Sequence, residues 1–193
     1  MGNRTRIFVS SPHYGLEDLR GELAEYLSEE GFLPVISSES GFPDHHGLPP
    51  YAQCLREIES CLLVIGIIDR RYGQLMTEWG PFSEYVGLSP THAELRHALK
   101  LKKRVIIFVR QAVSSYYDIY RNNEDQFTSM KLPSGLDIRT LELFRELKLH
   151  KPAPWIESFK DVREVKRSIK NRLLSDLHEA LQQKQAMVES GVA

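Results

Sequence analysis

Ser89 to Val109 reads SPTHAELRHALKLKKRVIIFV, a helix that feeds directly into a buried strand. Ser89 suits the N-cap, and Pro90 suits the first helical position, where a missing N–H costs no intrahelical bond. At about 100° per residue, Leu95, Ala98, Leu99 and Leu101 form an apolar stripe. Glu94 lies roughly 65° from the centre of that stripe, while Arg96 and Lys100 point away. A carboxylate therefore sits in the first turns of the helix on the side facing the sheet. Lys102, Lys103 and Arg104 complement the dipole at the helix end, and Val105 to Val109 is a continuous apolar run of the kind buried on both faces. This is one half of a parallel αβ unit.

The same alternation extends upstream. Leu62 to Ile68 (LLVIGII) is the most apolar run and reads as the central strand, preceded by a helix over Tyr51 to Ser60. Leu33 to Ile36 and Arg6 to Ser10 are shorter strand signals. Between them Leu16, Leu19, Leu23, Tyr26 and Leu27 recur at helical spacing, and Gly31 fits a left-handed cap. Residues 37–50 form a loop long enough to suggest a function, and a second loop runs from Asp69 through Trp79 and Gly87 to Ser89. Downstream, Ser114 to Asn122 and Thr140 to Leu149 read as helices. Ala153 to Ile156 reads as a fifth strand, which Pro152 and Pro154 confine to the sheet edge. Val162 to Leu181 carries the stripe of a long amphipathic helix. Strands alternating with helices predict an α/β fold with right-handed crossovers and a parallel sheet of four to five strands, covered on both faces. The expected division is an α/β domain over 1–157 and a C-terminal helix with a polar tail over 158–193.

Composition narrows the function. The 193 residues are 41% hydrophobic and 26% charged with a formal net charge of -1, which removes a global electrostatic case for nucleic acid or anionic membrane. No apolar run approaches the ~20 residues of a membrane span, and the N-terminus enters a strand directly, so a cytoplasmic protein is expected. Cys54 and Cys61 read as small packing residues, and His45 and His46 as solvated loop residues rather than metal ligands. The sequence has no Walker A, GxGxxG, GxSxG, HExxH or paired CxxC motif.

In a parallel α/β sheet, ligands bind beyond the carboxyl ends of the strands. The residues predicted there are Ser10, Ser11, His13 and Tyr14, then Ser37 and Ser38, then Asp69, Arg71, Tyr72 and Gly73, and finally Ser89, Thr91 and Glu94. A carboxylate in such a ring could stabilise the oxocarbenium-like cation that forms when a ribosyl-base bond breaks. It is equally an ordinary first-turn Glu favoured by the helix dipole. Asp69 could hold a ribose hydroxyl or cap its turn. Arg71 could bind phosphate, and Tyr72 could stack on a base or simply pack. Ser10 and Ser11 offer donors to a phosphate, or form a turn.

IFVSS at Ile7 to Ser11, GFLPV at Gly31 to Val35, CLREIESCLLVIGIIDRRYG at Cys54 to Gly73, and SPTHAEL followed by KKRVIIFV resemble a TIR-like domain family of unknown function, found at the N-termini of STAND-type NTPases. The resemblance covers about the first 110 residues. It implies a flavodoxin-like three-layer sandwich with strand order 2-1-3-4-5, related to TIR domains and nucleoside 2-deoxyribosyltransferases. It also implies that Glu94 is the catalytic carboxylate, acting on the N-glycosidic bond of NAD or another nucleotide with no further cofactor. Pro12, Asp69 and Lys103 depart from the pattern of the family. The resemblance therefore leads to a nucleotide-binding effector or signalling domain that self-associates, in the company of a STAND-type NTPase or other domain. A non-catalytic interaction domain and a nucleoside ribosyltransferase are the alternatives.

Overall fold

The computed structural model describes residues 4–37, 47–123 and 132–189, in two compact units, 1–160 and 161–193. The first unit is built on β1 (Arg6–Ser10), α1 (Glu17–Glu29), β2 (Leu33–Val35), α2 (Pro50–Ser60), β3 (Leu63–Ile68), α3 (Pro90–Lys100), β4 (Arg104–Arg110), α4 (Gln111–Arg121), α5 (Ile138–Leu149) and β5 (Trp155–Phe159). All four strand pairings are parallel and the order is β2-β1-β3-β4-β5, so the run read as the central strand is central. Every residue of β3 is buried, which is why its sequence shows no alternation.

Side chains leave the sheet alternately on its two faces. Phe8, Val64, Ile68, Val105, Ile107 and Val109 join one cluster with apolar residues of α2, α3, α4 and α5. Ile7, Val9, Ile65, Ile67, Ile106 and Phe108 are buried on the other side, where α1 supplies Leu19, Leu23, Ala24 and Leu27. Gly66, midway along β3, makes the close approach of α3 possible. A Cβ built on it would stand 2.7 Å from Leu95 Cδ2.

Several boundaries differ from expectation; the C-terminal helix, for one, runs to Glu189 rather than Leu181. β5 begins at Trp155 rather than Ala153, because Pro154 lacks the N–H that a paired position needs, and it pairs only with β4 as an edge strand. α4 begins at Gln111, directly after β4, with Arg110 as its N-cap. α5 begins at Ile138, where the Asp137 side chain accepts from the Arg139 N–H. Residues 38–46, including Ser38, His45 and His46, lie outside the described residues.

The second unit is the helix α6 (Val162–Glu189). Asp161 Oδ1 accepts from the backbone N–H groups of Arg163 and Glu164 at its start. Val165 and Ile169 are buried, whereas Leu174, Leu177, Leu181, Met187 and Val188 are exposed. No helix among the described residues is long and apolar enough to cross a membrane.

Candidate ligand-binding cleft

Strand order reverses between β1 and β3, so the loops after these strands diverge to opposite sides of the sheet and leave space at its carboxyl edge. The residues expected there separate into a closed polar layer and an open cleft.

The closed layer holds Glu94. Its side chain is buried, and Oε2 accepts a 2.5 Å hydrogen bond from Ser10 Oγ. Burial raises the Glu94 pKa, opposed by the Ser10 hydrogen bond, the Arg20 charge and a hydrogen bond with Cys54. Burial first, and then the Glu94 charge, also push the Cys54 thiol up, so it stays protonated beside the carboxyl. Arg20 Nη1 donates to Ser11 Oγ at 2.7 Å and to Ser11 O at 3.1 Å, and Nη2 donates to Ser37 Oγ at 3.4 Å. One guanidinium thus ties the ends of β1 and β2 together. Ser10 and Ser11 are both occupied below the surface.

A second closed chain runs through Tyr72. Its hydroxyl lies 2.6 Å from His92 Nδ1, and His92 Nε2 lies 3.0 Å from Glu146 Oε2. Burial alone would raise the Glu146 carboxyl, but hydrogen bonds from Arg96 and His92 hold it at about 2. Ionised Glu146 can only accept, which places a proton on Nε2, and in the neutral imidazole Nδ1 then accepts from the Tyr72 hydroxyl. Ser89 is buried as the N-cap of α3, with His92 N–H donating to its Oγ at 3.4 Å. Gly73 has φ +95°, and a Cβ there would touch Ser89 Cβ at 3.4 Å. Thr91 is buried beside Tyr72 on a cavity of about 10 Å³, room for no more than a water molecule.

The open cleft measures about 590 Å³. Pro12, Tyr14 and Gly15 after β1, Asp69, Arg70 and Arg71 after β3, Arg110 at the end of β4, Ser134 and Gly135 before α5, and Lys160 after β5 line it. Its volume falls within the ~300–1,000 Å³ usual for ligand sites. Asp69 is spent inside the wall. Its Oδ2 accepts from Arg110 Nε at 3.0 Å, and its Oδ1 accepts from the Arg70 N–H at 2.7 Å. Arg110 also donates to Lys160 O at 2.8 Å and lies over the Phe159 ring at 4.4 Å. Arg70 and Arg71 are exposed, and neither guanidinium has an acidic partner among the described residues. The Arg70 backbone is held, because Arg70 O accepts from Asp137 N–H at 2.9 Å and Thr140 Oγ1 at 3.3 Å. Tyr14 is 73% exposed on the rim.

Of the residues predicted from sequence, the cleft therefore collects Tyr14, Asp69 and Arg71. Ser10, Ser11, Tyr72, Ser89, Thr91 and Glu94 belong to the layer beneath, and Gly73 is exposed outside the cleft; none of them lines it. The cleft adds Arg70, Arg110, Ser134, Gly135 and Lys160, which are not among the site residues expected from sequence. The rule that found Asp69 and Arg71 points to Arg110 and Lys160 when applied to the ends of the fourth and fifth strands. Ser134 and Gly135 carry no signal beyond a Pro-Ser-Gly turn. Among the described residues no group of three His, Cys, Asp or Glu could hold a metal ion.

A family model described as Domain of unknown function (DUF4062) matches residues 6–174. No curated protein matches the chain by sequence. Among solved structures, the chain is similar to a TIR-domain chain from "Structure of the activated Roq1 resistosome directly recognizing the pathogen effector XopQ (TIR domains)", with a TM-score of 0.53 at 11% identity. That likeness covers 88% of this chain and 99% of the other.

Proposed function

We propose, from the premise that this chain belongs to the DUF4062 family of domains of unknown function, that it is a TIR-like signalling domain whose cleft binds a nucleotide by its phosphates. The observation that carries the reading is the 590 Å³ cleft at the carboxyl edge of the sheet, where Arg70 and Arg71 have no acidic partner among the described residues. A guanidinium presents a rigid fork that matches phosphate oxygens in pairs. Tyr14 on the rim offers an exposed aromatic face for the base. The backbone bonds to Arg70 O keep this segment in place before a ligand arrives.

Glu94 has a different part in this reading. Hydrolysis of the N-glycosidic bond of NAD requires a carboxylate that reaches the anomeric carbon. The burial of Glu94 and its hydrogen bond to Ser10 support a role in fixing the end of β1 under the cleft instead. The signal would then pass by self-association, for which the exposed Leu174, Leu177 and Leu181 of α6 offer an apolar stripe. The test is calorimetric nucleotide binding by wild type and Arg71→Glu, with nicotinamide release from NAD followed for wild type and Glu94→Ala. Binding lost in Arg71→Glu, with no nicotinamide released, is the expected result. Nicotinamide release that disappears in Glu94→Ala would replace this reading with the N-glycosidase.

A further inference from the structure

The charges lining the cleft allow a narrower statement about its ligand. Among the described lining residues, Arg70, Arg71 and Arg110 meet one carboxylate, Asp69. That carboxylate is consumed by Arg110 and the Arg70 N–H. Arg70 and Arg71 have no acid opposite them among the described residues. Both residues line the cleft, so their like charges add there until an anion balances them.

We infer that the cleft selects a polyphosphate, a nucleoside di- or triphosphate, over both a nucleoside monophosphate and NAD. The inference rests on the nucleotide-binding reading above and adds a charge requirement to it. A monophosphate brings at most about two negative charges to a cleft lined by Arg70, Arg71 and Arg110, fewer than a di- or triphosphate brings. In NAD each bridging phosphate carries a single charge, and the oxidised nicotinamide ring brings a positive charge into a cleft that already has an excess of cations. A terminal phosphate, unlike the bridging phosphates of NAD, carries nearly two negative charges at neutral pH and three outward oxygens. In a diphosphate or triphosphate it is joined to a second anionic group, so both arginines can have a charged partner. Asp69 does not reverse this preference, since its charge is already paired with Arg110.

Calorimetry at fixed ionic strength with AMP, ADP, ATP, NAD and inorganic tripolyphosphate reads the selectivity directly. ATP is expected to bind about tenfold more tightly than AMP, the scale of one further charge-assisted contact, with NAD weakest and tripolyphosphate retained. Arg70→Ala and Arg71→Ala should each bring ATP close to AMP. Both side chains are exposed, so matched thermal melts will show that the fold is kept. Tyr14→Ala should weaken the nucleotides and leave tripolyphosphate unchanged. AMP or NAD binding as tightly as ATP would overturn the charge selection while leaving a nucleotide site standing. Binding of none of the five would overturn both, and ATP binding that survives the Arg70→Ala/Arg71→Ala double variant would remove the arginines from the account.

Discussion

Glu94 is an acid whose charged form is costly where it stands, because burial removes water and only Ser10, Cys54 and the Arg20 charge replace it. A carboxyl whose folded pKa is raised contributes stability below its unfolded value near 4.5, and that contribution is lost as pH rises through the folded value. Glu94→Gln keeps the shape and drops the titration. Its melting temperature relative to wild type should therefore climb as pH rises from 4.5, a crossover that paired thermal scans will reveal. Tyr72 makes the opposite point, since its hydroxyl fits a proton chain that is complete. Tyr72→Phe leaves His92 Nδ1 without its donor in a buried place and should cost about 1–3 kcal/mol by denaturant titration.

At the scale of elements, α3 and β3 lock together through a glycine. Gly66→Ala drives a Cβ to 2.7 Å from Leu95 Cδ2 in the middle of a strand paired on both sides, and should destabilise by about 1–3 kcal/mol with no direct effect on the cleft. Equal urea midpoints for wild type and Gly66→Ala would mean that Leu95 can move aside. The α3 boundaries were legible because Ser89 and Pro90 start the helix by local chemistry that needs no tertiary partner. The start of β5 was less so. The apolar content of Ala153 to Ile156 suggests a strand, but pairing with β4 decides which N–H groups are used, and Pro154 has none.

Over the whole molecule, Glu146 joins α5 to α3 through Arg96 and His92. Its folded pKa of about 2 lies below the ordinary 4.5, so the link contributes fully above pH 4.5 and fades as pH falls toward 2. Glu146→Gln should therefore melt lower than wild type at neutral pH, and the gap should close on acidification through that window. Self-association belongs to the same scale. Light scattering at high protein concentration should show at least a dimer, and Leu177→Lys, in the exposed stripe of α6, should shift it toward monomer without altering nucleotide binding. A monomer in wild type would remove self-association from the proposed function.

The order of strands and helices, the central place of β3 and the edge of the sheet that carries polar loops follow from hydrophobic period and turn chemistry, which are local and survive without partners. Sequence also placed Glu94 on the sheet-facing side of α3, and that is where it lies. Depth was beyond its reach. Ser10, Ser11 and Glu94 have the same polar character as Asp69 and Arg71, yet the first three are sealed by Arg20 and by one another while Arg71 faces the cleft. Arg110 and Lys160 joined that cleft from strands far apart in the chain. Which polar group meets water and which meets another side chain depends on contacts between distant segments, and only the folded chain sets those contacts.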